Sequence, residues 1–377
     1  EGAAVVEGPP QRLSLEEGTQ IQVRDESLKN VHVRGGRGGE ILYLIDGIPV
    51  THPIYGGRSV IELNVSDVKE MELLTGAFSA EYGQAQSGVV NITTRSGGEK
   101  FGGGIKYKTD QIHVLGESFT RDYLTVHYGG PLPITQKRIL GTGLRLPGNL
   151  HFFLSGSANL TNTAHNNLRS RDEISLIGLQ FSTRQENKAN FNIKLDYDLT
   201  KNFETIVTYH GTWRDWSRFS WSWQYYPDHT AEYMRKNHSG SLQIKHTLSD
   251  ATYYTARIAY LGVNYTASLN QTSPPEFWEI FRDSQGNIDS LYSTIDAPQR
   301  DPLTGFFNDR GYENLWRDDL TQSYTAKGDL TSQVTNEHLV KTGIELRYHD
   351  LQYIDIQDGG VRLSPYGRYL HEGGREV

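Results

Sequence analysis

The chain has 377 residues, with 45 acidic against 37 basic side chains, a net charge of −8, and no cysteine. That balance argues against a nucleic-acid-binding surface, and the absence of cysteine excludes disulfide and thiol chemistry. Only 36% of residues are apolar, while Gly (39) and Tyr (22) are abundant; no run of ~18 apolar residues marks a membrane helix, and a transmembrane β-barrel, whose signal is alternation over ~10 residues, stays open.

Residues 1–30 are polar and irregular, with Pro9-Pro10, and read as a lead-in to the first domain. The start at Glu1, with no signal peptide, is expected of a mature or trimmed product. Strands are predicted at 31–33, 41–45, 60–63, 68–74 and 89–94. Asp46-Gly47 is a turn signal, and Ser66-Asp67 caps a brief turn. The two strands at 68–74 and 89–94 flank a small-residue tip at 79–88. Gly76, Gly83 and Gly88 sit where the backbone must turn or pass close to another surface. Val89, Val90 and Ile92 form a β-rich run too short for a helix. The stretch 68–96 reads as a buried two-strand unit with an exposed polar tip, and Ser96-Gly97-Gly98 as a hinge out of the first domain.

After residue 100 the pattern changes to period-2 alternation. In 189–198, Ala189, Phe191, Ile193, Leu195 and Tyr197 alternate with Asn190, Asn192, Lys194, Asp196 and Asp198. The same pattern sets Val340, Thr342, Ile344, Leu346 and Tyr348 against Lys341, Gly343, Glu345 and Arg347. Nine such strands are predicted: 102–109, 121–128, 149–160, 189–198, 203–212, 237–248, 251–263, 321–333 and 338–350. The connections at 199–202, 249–250 and 334–337 are short, and those at 161–188, 213–236 and 264–320 are long. A soluble sandwich has no reason to put its long loops at every second connection. An outer-membrane barrel does, with short periplasmic turns and long outer loops. If the first strand runs outward, all three short turns fall on the periplasmic side; the connection at 129–147, with Pro131 and Pro133, is the exception.

Three motifs carry a family resemblance: Val31-His-Val-Arg-Gly-Gly, Leu42-Tyr-Leu-Ile-Asp-Gly-Ile-Pro, and Gly76-x-x-Ser-x-x-Tyr-Gly followed by Gly88-Val-Val-Asn-Ile. Their order and spacing over about 65 residues resemble the plug domain of TonB-dependent outer-membrane receptors. The resemblance implies a mainly β protein, with a small α+β plug followed by part of a transmembrane antiparallel β-barrel. The expected division is 1–30 lead-in, 31–98 plug, and 99–377 the first part of the barrel. Nine strands against the family's roughly 22 imply a fragment or a partly represented chain. No TonB box is recognisable in 1–30.

Arg34, in the family's position for an arginine that locks plug to barrel, either does so here or is a solvated charge. The second such arginine of the family is replaced by Thr75. Arg34-Gly-Gly-Arg-Gly-Gly is also legible as an RNA-binding element, but such elements are repetitive and disordered, and this one lies between two apolar strands. In the plug tip, Tyr82, Gln84 and Gln86 are candidate ligand contacts, with packing against the barrel as the other reading. In the next predicted outer loop, Trp213, Trp216, Trp221, Trp223 and Tyr225 either stack on a ligand, pack the loop, or belong to an interfacial girdle. The Trp221-Ser-Trp223 alternation suggests a strand running beyond the membrane.

Zinc-enzyme, nucleophile-elbow and phosphate-loop motifs are absent, so neither an enzyme nor a cofactor is expected, and no metal site. The resemblance implies a receptor in the bacterial outer membrane that binds a scarce nutrient and imports it with energy from the TonB–ExbB–ExbD complex. The alternatives are a surface-binding barrel that docks a partner lipoprotein, and a soluble all-β carbohydrate-binding or glycan-cleaving module.

Overall fold

The structure is a computed structural model. It describes residues 3–6, 12–14, 20–22, 30–33, 40–53, 60–75, 82–83, 85, 87–110, 121–132, 147–162, 173–176, 179–182, 185–269, 299–300, 302–303, 305–313 and 315–356. Arg34, Gln84 and Gln86 lie outside these.

The first domain is built on a four-stranded sheet of β1 (Ile41–Ile45), β2 (Ile48–Pro49), β3 (Val68–Leu74) and β4 (Gly88–Thr94). β1 pairs parallel to β4 and hairpins onto β2. The hairpin turns on Asp46 (φ 49°) and Gly47 (φ 77°), the left-handed pair that a tight Asp-Gly turn requires. The run Ile41–Ile45 is continuous rather than alternating because both its faces are covered. On one face Leu42 and Leu44 pack with Val89 and Tyr82. On the other Ile45 packs with Val50, Val60 and Ile61 against Leu261 and Val263 of the second domain. Each such aliphatic burial is worth ~1.5–3 kcal/mol.

The second domain is a nine-stranded sheet in which every neighbour is antiparallel and sequential. Its strands are β5 (Gly102–Thr109), β6 (Asp122–Pro131), β7 (Asn149–Thr161), β8 (Glu186–Thr200), β9 (Phe203–Ser217), β10 (Glu232–Ser249), β11 (Thr252–Ser268), β12 (Trp316–Gln333) and β13 (Leu339–Ile356). The sheet is inside out relative to a soluble protein. On β8 the polar Asn190, Asn192, Lys194 and Asp196 are buried, Asn192 to 1% exposure, while Phe191 is 53% exposed. On β13 Ile344, Leu346 and Tyr348 are all exposed. On these strands polar residues thus face inward and apolar ones face outward, as a lipid-facing band requires. This overturns the soluble-module alternative, whose apolar face would have to be the buried one.

All nine predicted strands are present, and most run two to five residues further at one end or both. The extensions carry large inward-facing residues such as Trp216 and Tyr233, which break the apolar-out pattern from which the strands were predicted. Three expectations are corrected. Residues 60–63 are not a strand: Val60 N–H bonds Val50 O at 3.0 Å and Glu62 N–H bonds Thr212 Oγ1 at 3.3 Å, so the barrel wall, not a neighbouring strand, takes up part of this backbone. The unit at 68–96 is not buried throughout, since β3 is an edge strand with Met71 67% exposed. Trp221–Trp223 is a 3-10 turn, not a strand extension, with Trp223 N–H bonding Ser220 O at 3.0 Å. Among the described residues the plug has no α-helix; its helical content is the 3-10 turn Val65–Asp67, in which Asp67 accepts from Asn64 N–H at 3.2 Å and Ser66 Oγ at 3.1 Å.

Candidate functional site

Glu62 leaves the plug on a loop and reaches the inner face of the sheet. Its Oε1 lies 2.9 Å from Nη2 of Arg235, a wholly buried guanidinium on β10, and its Oε2 pairs with Nζ of Lys188 on β8. Beside it, the Asn237 side-chain amide donates to Val60 O. One plug segment is therefore held by three wall strands.

A second latch uses the Asp46 turn. The left-handed turn points the Asp46 carboxylate back at β4, where Oδ1 accepts Thr94 N–H at 2.9 Å and Oδ2 accepts the Thr94 hydroxyl. Lys194 of β8 inserts its buried ammonium here, 3.4 Å from Asp46 Oδ1 and 3.2 Å from Thr94 O. The Arg257 guanidinium of β11 lies over Gly47, 3.4 Å from where a Cβ would stand, and a side chain there would crowd it as well as strain the turn. Lys188 and Lys194 share one face of β8, six residues or ~20 Å apart along the strand. Between them Asn192 and His210, cross-strand partners, are buried; among the described residues Nδ1 of His210 and both amide atoms of Asn192 have no hydrogen-bond partner. A contact charged at two points with unmatched polar groups between them is easier to separate than a packed core.

A cavity of about 350 Å³ lies between plug and wall near the second latch, lined by Leu44, Tyr82, Asn91, Lys194, Arg257 and Arg347 among others. Tyr82 therefore faces the interior of the plug–wall contact, and its ring packs on Leu42 and Leu44. The link out of the plug is not a free hinge: a Cβ on Gly97 would stand 2.4 Å from Phe152 O, so this backbone is pressed against β7.

The five outer-loop aromatics do not converge. Trp213 shares the outward-facing parity of Val207 and Tyr209 on β9, both exposed. Trp216 points inward, stacked on Tyr233 at 5.6 Å with the Arg214 guanidinium 4.6 Å over its ring. Trp223 is buried near His229. Trp221 and Tyr225 are exposed, meeting Phe219 and Phe307 edge-on at 4.9 and 5.2 Å. The loop 218–231 is bound to the segment 308–313: Glu313 N–H donates to His229 O at 2.8 Å, and Ala231 N–H to Glu313 Oε2 at 2.7 Å.

Sequence reading missed Glu62, Lys188, Lys194 and Arg235, and took Asp46 only as a turn residue. The available signal was that the polar positions of an outward-apolar strand face the plug, so that a lysine at one of them needs a carboxylate opposite.

A small domain clasped inside a sheet that is polar within and apolar without is a plugged outer-membrane barrel. Residues 13–90 match the family model of the TonB-dependent Receptor Plug Domain. The TonB-dependent transporter Oar of Myxococcus xanthus is 31% identical over 75 residues, 20% of this chain and 7% of that protein. Among solved structures, the outer membrane transporter YddB from Escherichia coli aligns with TM-score 0.55 at 14% identity, over 86% of this chain and 42% of its own. The ferric citrate transporter FecA aligns with TM-score 0.53 at 12% identity, over 96% and 45%. BauA, the ferric preacinetobactin receptor from Acinetobacter baumannii, aligns with TM-score 0.52 at 10% identity, over 90% and 43%. Residues 13–90 carry a TonB-dependent receptor plug domain, the fold as a whole is that of the outer-membrane transporters, and the chain's place is the bacterial outer membrane. It spans less than half the length of these solved structures.

Proposed function

We propose that the protein is a receptor and transporter, not an enzyme, which binds a scarce nutrient from outside and releases it to the periplasm when the TonB–ExbB–ExbD complex draws on the plug. The carrying observation is the plug–wall contact: two charged latches, Glu62 with Arg235 and Lys188, and Asp46 with Lys194, close the lumen through interactions that a pull can break. The outer membrane has no energy source of its own, so import against a gradient must draw it from elsewhere. In this reading residues 31–98 are the plug and 99–377 the wall. Trp221 and Tyr225 are the outer-loop residues placed to meet ligand, with Trp213 at the membrane boundary and Trp216 and Trp223 supporting the loop. Tyr82 lines the inner passage, with Gln84 and Gln86 in the same tip, and Arg34 adds to the plug–barrel lock. The test is site-specific crosslinking of the full-length protein to TonB in intact cells. Crosslinks that a proton uncoupler abolishes are expected; none in either condition overturns the reading.

A second reading, a surface-binding barrel docking a partner lipoprotein, is favoured by the exposed Trp221, Tyr225, Leu303 and Phe306 on the outer loops. A lipoprotein at fixed stoichiometry in detergent extracts supports it; its absence from extracts that retain the barrel rejects it.

A further inference from the structure

The Glu62 carboxylate is held as a bound oxyanion is held. Its two oxygens go to different cations: one to Arg235, the other to Lys188. Lys188, Arg214 and Arg235 occupy a single register row across β8, β9 and β10, Lys188 opposite Arg214 and Arg214 opposite Arg235. Arg214 is oriented by Glu186 at 2.9 Å and by the face of Trp216. Trp216 and Tyr233, one register step further out, and Tyr265, opposite Arg235 in the same row, are all buried and pack together beside it. Arg235 has none of its side chain exposed. A guanidinium so placed is costly to leave without a counter-charge. When Glu62 moves off with the plug, another anion in its place removes that cost. Of the groups involved, Glu62 is the one able to leave: it sits on a loop, about a third exposed, while the cations sit on paired strands.

We propose that Lys188, Arg214 and Arg235 form an oxyanion-binding site, occupied in the resting state by Glu62, and that a soluble ligand carrying a carboxylate or phosphate group exchanges with Glu62 and frees the plug segment 60–64 from the wall. The row faces the lumen, which selects a soluble anion over a lipid headgroup. The inference rests on the transport reading only in requiring that the plug leave the wall.

The purified full-length protein in neutral detergent is titrated calorimetrically with inorganic phosphate and, separately, with micelles containing phosphatidylglycerol. The wild type is compared with Glu62→Gln and with Glu62→Gln combined with Lys188→Gln, each checked for heat-modifiable mobility. Glu62→Gln removes the competing charge and is expected to bind phosphate at least ten-fold more tightly; adding Lys188→Gln returns the affinity to the wild-type value. A second measurement leaves the row intact. Ile61, buried against Leu261 and Val263, is changed as Ile61→Cys; residues 1–377 hold no other cysteine, and any elsewhere in the full-length protein is replaced by serine first. Its maleimide labelling is expected to quicken at least ten-fold in phosphate relative to chloride at equal ionic strength. Equal phosphate affinity in wild type and Glu62→Gln, a gain that survives Lys188→Gln, a response to phosphatidylglycerol micelles alone, or unchanged labelling overturns the proposal. None of these readouts needs TonB, so failure here leaves the transport reading standing, and loss of TonB crosslinking leaves this site standing.

Discussion

Glu62 and Arg235 meet at 2.9 Å across 173 positions of sequence, a plug carboxylate against a wholly buried wall guanidinium. Truncating the acid takes away a partner of a desolvated cation, which costs more than the pair's net worth. With Glu62 partly exposed, Glu62→Ala is expected to lower the stability of the folded barrel by about 1–3 kcal/mol. The check is the temperature at which the detergent-solubilised protein loses its heat-modifiable mobility; an unchanged midpoint contradicts the latch.

The second latch makes a sharper prediction because Lys194 is itself buried. Lys194→Met keeps the stem and removes the ammonium, leaving Asp46 with its Thr94 contacts alone. Asp46→Asn keeps the turn and removes the charge. A double-mutant cycle between the two is expected to give a coupling of about 1–3 kcal/mol. Additive effects, measured by denaturant titration of the folded barrel, would mean that Lys194 only fills space.

Gly97 tests the link between the domains. A Cβ there would stand 2.4 Å from Phe152 O and 2.8 Å from Phe152 N, and backbone atoms cannot swing aside as a side chain can. Gly97→Ala is expected to cost about 1–3 kcal/mol through forced displacement of β7. Gly98→Ala, whose nearest approach is 3.5 Å, serves as the neighbouring control and is expected to be near neutral. Equal effects at both positions, read from thermal midpoints, would restore the free-hinge reading.

What the sequence revealed, and what it hid, follows from the range of the interactions. Alternation on β8 and β13 is a local property, so the wall strands were legible from Phe191, Ile193, Ile344 and Leu346. Asp46-Gly47 was legible because its left-handed turn is encoded in two adjacent residues. The Glu62 latch was not, because its partners lie 126 and 173 positions away and nothing near residue 62 signals them. The misread strand at 60–63 has the same origin: Val60 and Ile61 have strand character, but their segment's hydrogen bonds are divided between Val50 of the plug and Asn237 and Thr212 of the wall. Trp221-Ser-Trp223 alternates like a strand, yet its turn bonds put Trp223 inside and Trp221 outside. Alternation alone does not distinguish these outcomes.

The two outer-loop tryptophans are accordingly expected to separate in their effects. Trp223 is 6% exposed and Trp221 65%. Trp223→Ala removes packing beside His229 and loosens the loop 218–231 from segment 308–313, so it is expected to cost ~3 kcal/mol and to expose the loop to proteolysis. Trp221→Ala is expected to leave stability within ~0.5 kcal/mol and to act, if it acts, on ligand capture. Limited proteolysis of both variants distinguishes them; equal cleavage would remove the division of labour between the two rings.

The outward face decides whether the sheet meets lipid. Ile193 on β8 and Ile344 on β13 are both exposed, Ile344 at 66%, and they stand five strands apart in the sheet. In water, Ile344→Lys would be neutral or would improve solubility. Facing hydrocarbon, a lysine costs ~2–4 kcal/mol at the bilayer midplane and falls to ~0–1 kcal/mol near the interfaces. Ile193→Lys and Ile344→Lys are therefore each expected to reduce the folded, heat-modifiable barrel recovered from outer membranes, while Ile193→Leu and Ile344→Leu are expected to leave it unchanged. The size of each loss then reports depth in the membrane. Full recovery of both lysine variants would place this face in water and return the apolar surface to a protein partner.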